Sequence, residues 1–121
     1  MIASIEYIIE YIESLERVGA DPFQFLDKQE LINNYSMFKL IDIDSSSNLV
    51  NWENIEGYNP NPKSRILKKT TESNKDYFLN LYSNVTEYPV VLGYDKIIID
   101  GSHRLANIKH NKLNFKAWIA I

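Results

Sequence analysis

Three consecutive isoleucines, Ile97, Ile98 and Ile99, run straight into Asp100-Gly101-Ser102-His103-Arg104. A β-branched triplet favours an extended strand. Leu105, Ala106 and Ile108 then recur at helical spacing, and Asn111 is placed to close that helix. Asp-Gly-Ser between the two patterns is turn and cap chemistry, so the backbone must switch from extended to helical at this point. The flanks complete the frame. Val90-Val91-Leu92 and Lys96-Ile97-Ile98-Ile99 surround Gly93-Tyr94-Asp95, which predicts a strand hairpin. Phe115, Ala117, Ile119 and Ile121 alternate with Lys116, Trp118 and Ala120, which predicts a final strand. The last third therefore reads strand, strand, helix, strand.

The opening is helical in pattern. Ile5, Ile8, Ile9, Ile12 and Leu15 form one stripe and Glu6, Glu10, Glu13 and Glu16 another, with Gly19 as the expected stop. Asp21 as cap, Pro22 at the first helical position and Gln24 completing a capping box predict a second helix carrying Phe23, Leu26, Leu31 and Ile32 to about Asn33-Asn34. Phe38 to Ile43 reads as a strand broken by Ser45-Ser46-Ser47-Asn48. The chain from there to Pro62 reads as a loop, with Asn59-Pro60 and Asn61-Pro62 biased to extended shapes. Ser73 with Asp76 predicts a further helix to about Ser83. The expected architecture is α+β: a small mixed β-sheet with helices over residues 36–121, preceded by an N-terminal helical hairpin over residues 1–35.

A chain of 121 residues with 45% apolar and 24% charged residues has the balance of an ordinary globular domain, which excludes global disorder. No apolar run approaches the roughly 20 residues of a membrane span, and the first residues lack the basic start and apolar stretch of a signal peptide. A cytoplasmic location without membrane partners is expected. The absence of cysteine removes disulfides, thiolate metal sites and thiol catalysis. The formal charge of −3 hides a split: residues 1–58 hold 3 basic and 11 acidic side chains, residues 59–121 hold 10 and 5. The C-terminal half thus suits an anionic ligand, unless the halves pair their charges across the folded surface.

Residues 100–104 carry the richest chemistry. The first amides of a helix lack acceptors within it, and the helix dipole adds partial positive charge there. Gly101 would admit a ligand close to the backbone. Ser102 can cap the helix or meet a phosphate oxygen, Arg104 offers a fork matched to phosphate, and His103 can donate to an anion or move a proton near neutral pH. Against this stand purely structural roles: Ser102 as cap, Asp100 as turn residue, Arg104 paired with an acid of the first half. The residues alone favour neither. There is no Walker-type loop and no dinucleotide glycine triplet.

Ile97-Ile98-Ile99-Asp100-Gly101-Ser102-His103-Arg104-Leu105-Ala106 resembles the apolar-strand, D-G-x-H-R-L-A segment of the ParB-like and sulfiredoxin-like superfamily. Upstream, Asn59-Pro60-Asn61-Pro62-Lys63-Ser64-Arg65 resembles the N-P box of ParB N-terminal domains, and the pieces follow the family order over about residues 36–121. The resemblance implies nucleotide or phosphate binding at Gly101, Ser102, His103 and Arg104, with Arg65 approaching as a second positive arm. It further implies ATP, ADP or CTP as ligand, with or without Mg2+. His103 and Asp100 are the implied catalytic pair, His103 as acid/base or donor and Asp100 helping to place a metal or base. NTP hydrolysis or phosphoryl transfer is the chemistry that suits such a turn.

The departures narrow this expectation. Ser102 stands where sulfiredoxin has its catalytic cysteine, which removes sulfinic acid reduction. Neither a helix-turn-helix nor the E-N-x-x-R segment of CTP-binding members follows the last strand, so sequence-specific DNA reading is not expected. Two other functions fit the residues. One is a nuclease or non-specific DNA-binding module with Lys68, Lys69 and Lys109 reaching phosphates; the basic run Lys63, Arg65, Lys68 and Lys69 would line a nucleic-acid path or form a solvated helix face. The other is a non-enzymatic inhibitor or adaptor that meets a basic protein partner through the acidic N-terminal helices. Asp42-x-Asp44 has the spacing of a cation site, but strand-end aspartates commonly hold none, and no metal site is expected. His110 is expected to complement a helix end rather than to catalyse, and Tyr7 and Tyr11 to pack rather than to mark an interface.

Overall fold

A computed structural model describes residues 1–15, 27–55 and 88–121. The architecture is α+β: three helices and a five-stranded mixed sheet among these residues. Strand β1 (Ile2–Ser4) leads directly into helix α1 (Ile5–Leu15). The Ser4 hydroxyl accepts a hydrogen bond from the Tyr7 amide at 3.2 Å, satisfying one of the donors a helix start leaves open. The expected stripe of Ile5, Ile8, Ile9, Ile12 and Leu15 is buried, while Glu6 and Glu10 face solvent. Each buried isoleucine contributes about 2 kcal/mol of transfer free energy.

Helix α2 spans Lys28–Asn34. Its cap is Asp27, whose carboxylate accepts from the Gln29 amide at 2.8 Å; the expected start at Asp21, Pro22 and Gln24 lies outside the described residues, as do Glu16 and Gly19. Leu31 is its one buried residue, and Ile32 beside it is exposed. Strand β2 (Met37–Ile43) ends where Asp44 folds back on itself. The Asp44 carboxylate accepts from the Ser46 amide at 2.8 Å and the Ser46 hydroxyl at 2.7 Å, giving the backbone a turn in place of a strand ladder. The expected loop is partly ordered: Trp52–Ile55 form a 3-10 turn whose Ile55 is buried and whose Trp52 ring meets Phe115 edge-on, 6.1 Å between centroids. The remainder of that loop and the helix expected over 73–83 lie outside the described residues.

The last third follows the sequence closely. Strands β3 (Val90–Leu92) and β4 (Ile98–Asp100) form the expected antiparallel hairpin around a 3-10 turn at Tyr94–Lys96. Helix α3 (Ser102–Asn111) and strand β5 (Phe115–Ala120) complete it. The strand order is β1-β2-β5-β3-β4, with β5 antiparallel to β2 and parallel to β3.

Both faces of the sheet are covered. On one face Ile43, Val90, Leu92, Phe115 and Ala117 pack with Leu105 and Ile108 of α3 and with Val50 and Ile55. On the other, Phe38, Val91, Ile99 and Trp118 pack with the α1 stripe and Leu31. Two covered faces explain why Val90-Val91-Leu92 is apolar throughout instead of alternating. The N-terminal segment thus supplies an edge strand and one of the two covering layers. Among the described residues no helix is long and apolar enough to cross a membrane.

Candidate functional site

Gly101 joins β4 to α3 in the left-handed region, with φ 112° and ψ 20°. It is the N-cap, and its carbonyl accepts the first helical bond from the Leu105 amide at 2.8 Å. Glycine is required twice over. A side chain would be strained at this φ, and a Cβ would lie 2.6 Å from Val90 Cγ1. The missing side chain therefore makes room for Val90 of the neighbouring strand, rather than for a ligand. Ser102 occupies the first helical position, half-buried, and not the cap position that the sequence suggested. His103 lies in the first turn of α3.

Arg104 turns inward and is only 3% exposed. Its Nη1 donates to the carbonyls of Tyr88 at 2.8 Å and Pro89 at 3.0 Å, and its Nη2 donates to the Asp100 carboxylate at 2.6 Å. The Pro89 carbonyl also accepts from the Tyr11 hydroxyl at 2.6 Å, which ties helix α1 to the same cluster. Burial pushes the Tyr11 hydroxyl up to about 12, partly opposed by the neighbouring Arg104 cation. A buried guanidinium is tolerable only when its charge and its donors are matched, and this cluster matches them.

This arrangement places two of the expected site residues. Arg104 was expected to fork onto a phosphate, and Asp100 to help place a metal or base. Here the two are bound to each other across the turn, with side-chain exposures of 4% and 10%. The sequence had offered Arg104 an acid from the first half as partner; the acid is instead the one four residues upstream. Tyr11, Tyr88 and Pro89 were missed as members of the cluster. The four-residue interval between Asp100 and Arg104 was the available signal, obscured because the interval spans a turn and not a helix. Arg65, with Lys63, Lys68 and Lys69 and the whole N-P box, lies outside the described residues.

The other candidates are placed as follows. Asp42 and Asp44 line an open cleft of about 420 Å3 with Asn114 and Lys116, and Asp42 stands opposite Lys116 in the β2–β5 register. Donation from Ser46 holds the Asp44 carboxyl below its ordinary value. Among the described residues no group of three or more His, Cys, Asp or Glu side chains could hold a metal ion. Lys109 and His110 sit in the last turn of α3, where positive charge complements the helix dipole. Tyr7 packs edge-on against Trp118 at 5.8 Å between ring centroids. Neither a family model nor a curated protein nor a solved structure matches this chain.

Proposed function

We infer that the chain is a ParB-like domain that binds a phosphate group, most simply that of a nucleotide such as ATP, ADP or CTP, at the β4–α3 turn. The observation that supports this reading is the fixed left-handed Gly101 between a strand and a ten-residue helix. The first amides of such a helix have no acceptors within it, so Ser102 and His103 would present donors to an oxyanion. In this reading Arg104 and Asp100 do not touch the ligand. They are positioning residues that hold the turn against Tyr88 and Pro89. The helix dipole contributes about 0.3–1 kcal/mol toward a nearby anion, so a second cation is needed for useful affinity. Arg65 of the N-P box is the residue assigned to that role, and Mg2+ bridging nucleotide phosphates would serve the same end. His103 remains the candidate acid or base should phosphoryl transfer or NTP hydrolysis follow binding.

Ser102→Glu separates binding from folding. A carboxylate at the first helical position repels phosphate yet suits the helix dipole. Titration calorimetry with ATP, CTP and ADP, with and without magnesium, should show affinity for the preferred nucleotide falling at least tenfold in the variant, with an unchanged or raised thermal midpoint. Absence of binding heat with every nucleotide for the natural chain defeats this reading. The exposed Lys112 and Lys116 keep the nucleic-acid alternative in view; it requires DNA retention that falls steeply with added salt.

A further inference from the structure

Strand β4 has the Gly101 turn at one end and a second concave feature near the other. A groove of about 380 Å3 is lined by the β1–α1 junction, the α2–β2 connection and Tyr94, with Glu6, Ile32 and Met37 among its residues. Ile32 is 43% exposed, Met37 39% and Tyr94 44%. Ile97 and Ile121, also exposed, are tied to Tyr94 and Met37 through the backbone. The Ile121 amide donates to the Met37 carbonyl at 3.0 Å, and the Ile97 amide donates to the Tyr94 carbonyl at 3.2 Å. The Tyr94 hydroxyl donates to the Ile121 carbonyl at 3.2 Å. Single exposed apolar residues are ordinary, but a gathered set beside a groove marks a contact surface.

Charge decides what that surface can receive. Helices α1 and α2 carry Glu6, Glu10, Glu13, Asp27 and Glu30 against a single basic residue, Lys28. Lys28 is bound to Glu13. Glu6, Glu10 and Glu30 form no ion pair among the described residues. Part of the groove's polar lining is engaged: the Ile5 amide donates to the Ser36 carbonyl at 2.8 Å, and the Asn34 side chain donates to the Glu30 carbonyl at 2.9 Å. The groove therefore offers apolar contact and one lining carboxylate, Glu6, with the exposed Glu10 and Glu30 elsewhere on the two helices that border it. A nucleotide or an acidic peptide would be repelled, and a purely apolar one would gain nothing from the carboxylates.

We propose that this groove docks a short basic segment of another protein. One apolar side chain enters beside Ile32, Met37 and Tyr94, and flanking Lys or Arg residues face the carboxylates of α1 and α2. The surface is separate from the phosphate turn, so neither proposal needs the other.

The full chain is panned against a phage-displayed library of random dodecapeptides, and enriched sequences are synthesised and titrated by fluorescence anisotropy. The expected consensus is an apolar residue flanked by Lys or Arg. Affinity should fall at least tenfold for Met37→Glu, for Ile32→Asp and for the charge reversal Glu6→Lys with Glu10→Lys, and should not change for Ser102→Glu. All the substituted positions are exposed to solvent except half-buried Ser102, and a cooperative thermal melt confirms that each variant is folded. No enrichment over an unrelated protein, a neutral or acidic consensus, or binding indifferent to Met37→Glu would overturn the proposal. So would concentration-dependent self-association that Met37→Glu abolishes, because the occupant would then be a second copy of the chain.

Discussion

Arg104 holds the structural logic of the turn in one side chain. It is buried, its charge is matched by Asp100, and its remaining donors fasten Tyr88 and Pro89. Removing one member of a buried pair leaves the other uncompensated, at a cost of about 3–5 kcal/mol. Arg104→Ala should therefore lower stability by that amount in urea denaturation. Arg104→Lys should recover only part of it, because an ammonium is a single point charge that does not reproduce the planar fork. An unchanged urea midpoint in Arg104→Ala would show that the guanidinium is not held as described. Tyr11 gives a second residue-scale prediction. Its folded pKa, about 12, lies above the ordinary 10.0, so the fold favours the neutral phenol. That contribution is whole below pH 10 and is lost as pH rises through 12. An ultraviolet tyrosinate titration should show a late component that Tyr11→Phe removes.

At the scale of elements, the stripe of α1, the β3–β4 hairpin, the switch at Gly101 and the alternation of β5 were all legible in the sequence, because each is a local pattern of period 3.6 or 2 bounded by turn chemistry. The start of α2 was not. Asp27 and Asp21 are both good caps on paper, and Asp27 opens the helix that carries Leu31. Asp27→Ala should cost about 1 kcal/mol, read as a lower thermal midpoint, if its carboxylate holds the Gln29 amide as described. Nor did local pattern foretell strand β1, since Ile2-Ala3-Ser4 is too short to show a period and gains its partners only from β2. The inward turn of Arg104 was hidden for a related reason. Its fate depends on two carbonyls fifteen and sixteen residues away, which no window along the chain brings together.

For the whole molecule, the order of strands matters more than their number. The β1-β2 pair and the β3-β4 pair do not touch each other in the ladder; β5 bonds to β2 on one side and β3 on the other. Its Phe115 and Ala117 serve one core and its Trp118 the other. A chain cut after Asn114 should therefore show no cooperative unfolding transition by circular dichroism, although it retains four of the five described strands. A sharp melt from that fragment would mean that the two outer pairs can stand without their common neighbour.

The central position of the strand at residues 115–120 also sets a schedule for biosynthesis. While the ribosome still encloses those residues, the β1-β2 and β3-β4 pairs wait with their inner borders open, exposed to chaperones or to mispairing with other nascent chains. Among the described strands the central one comes last in the chain, so this sheet should close only after translation has passed residue 120.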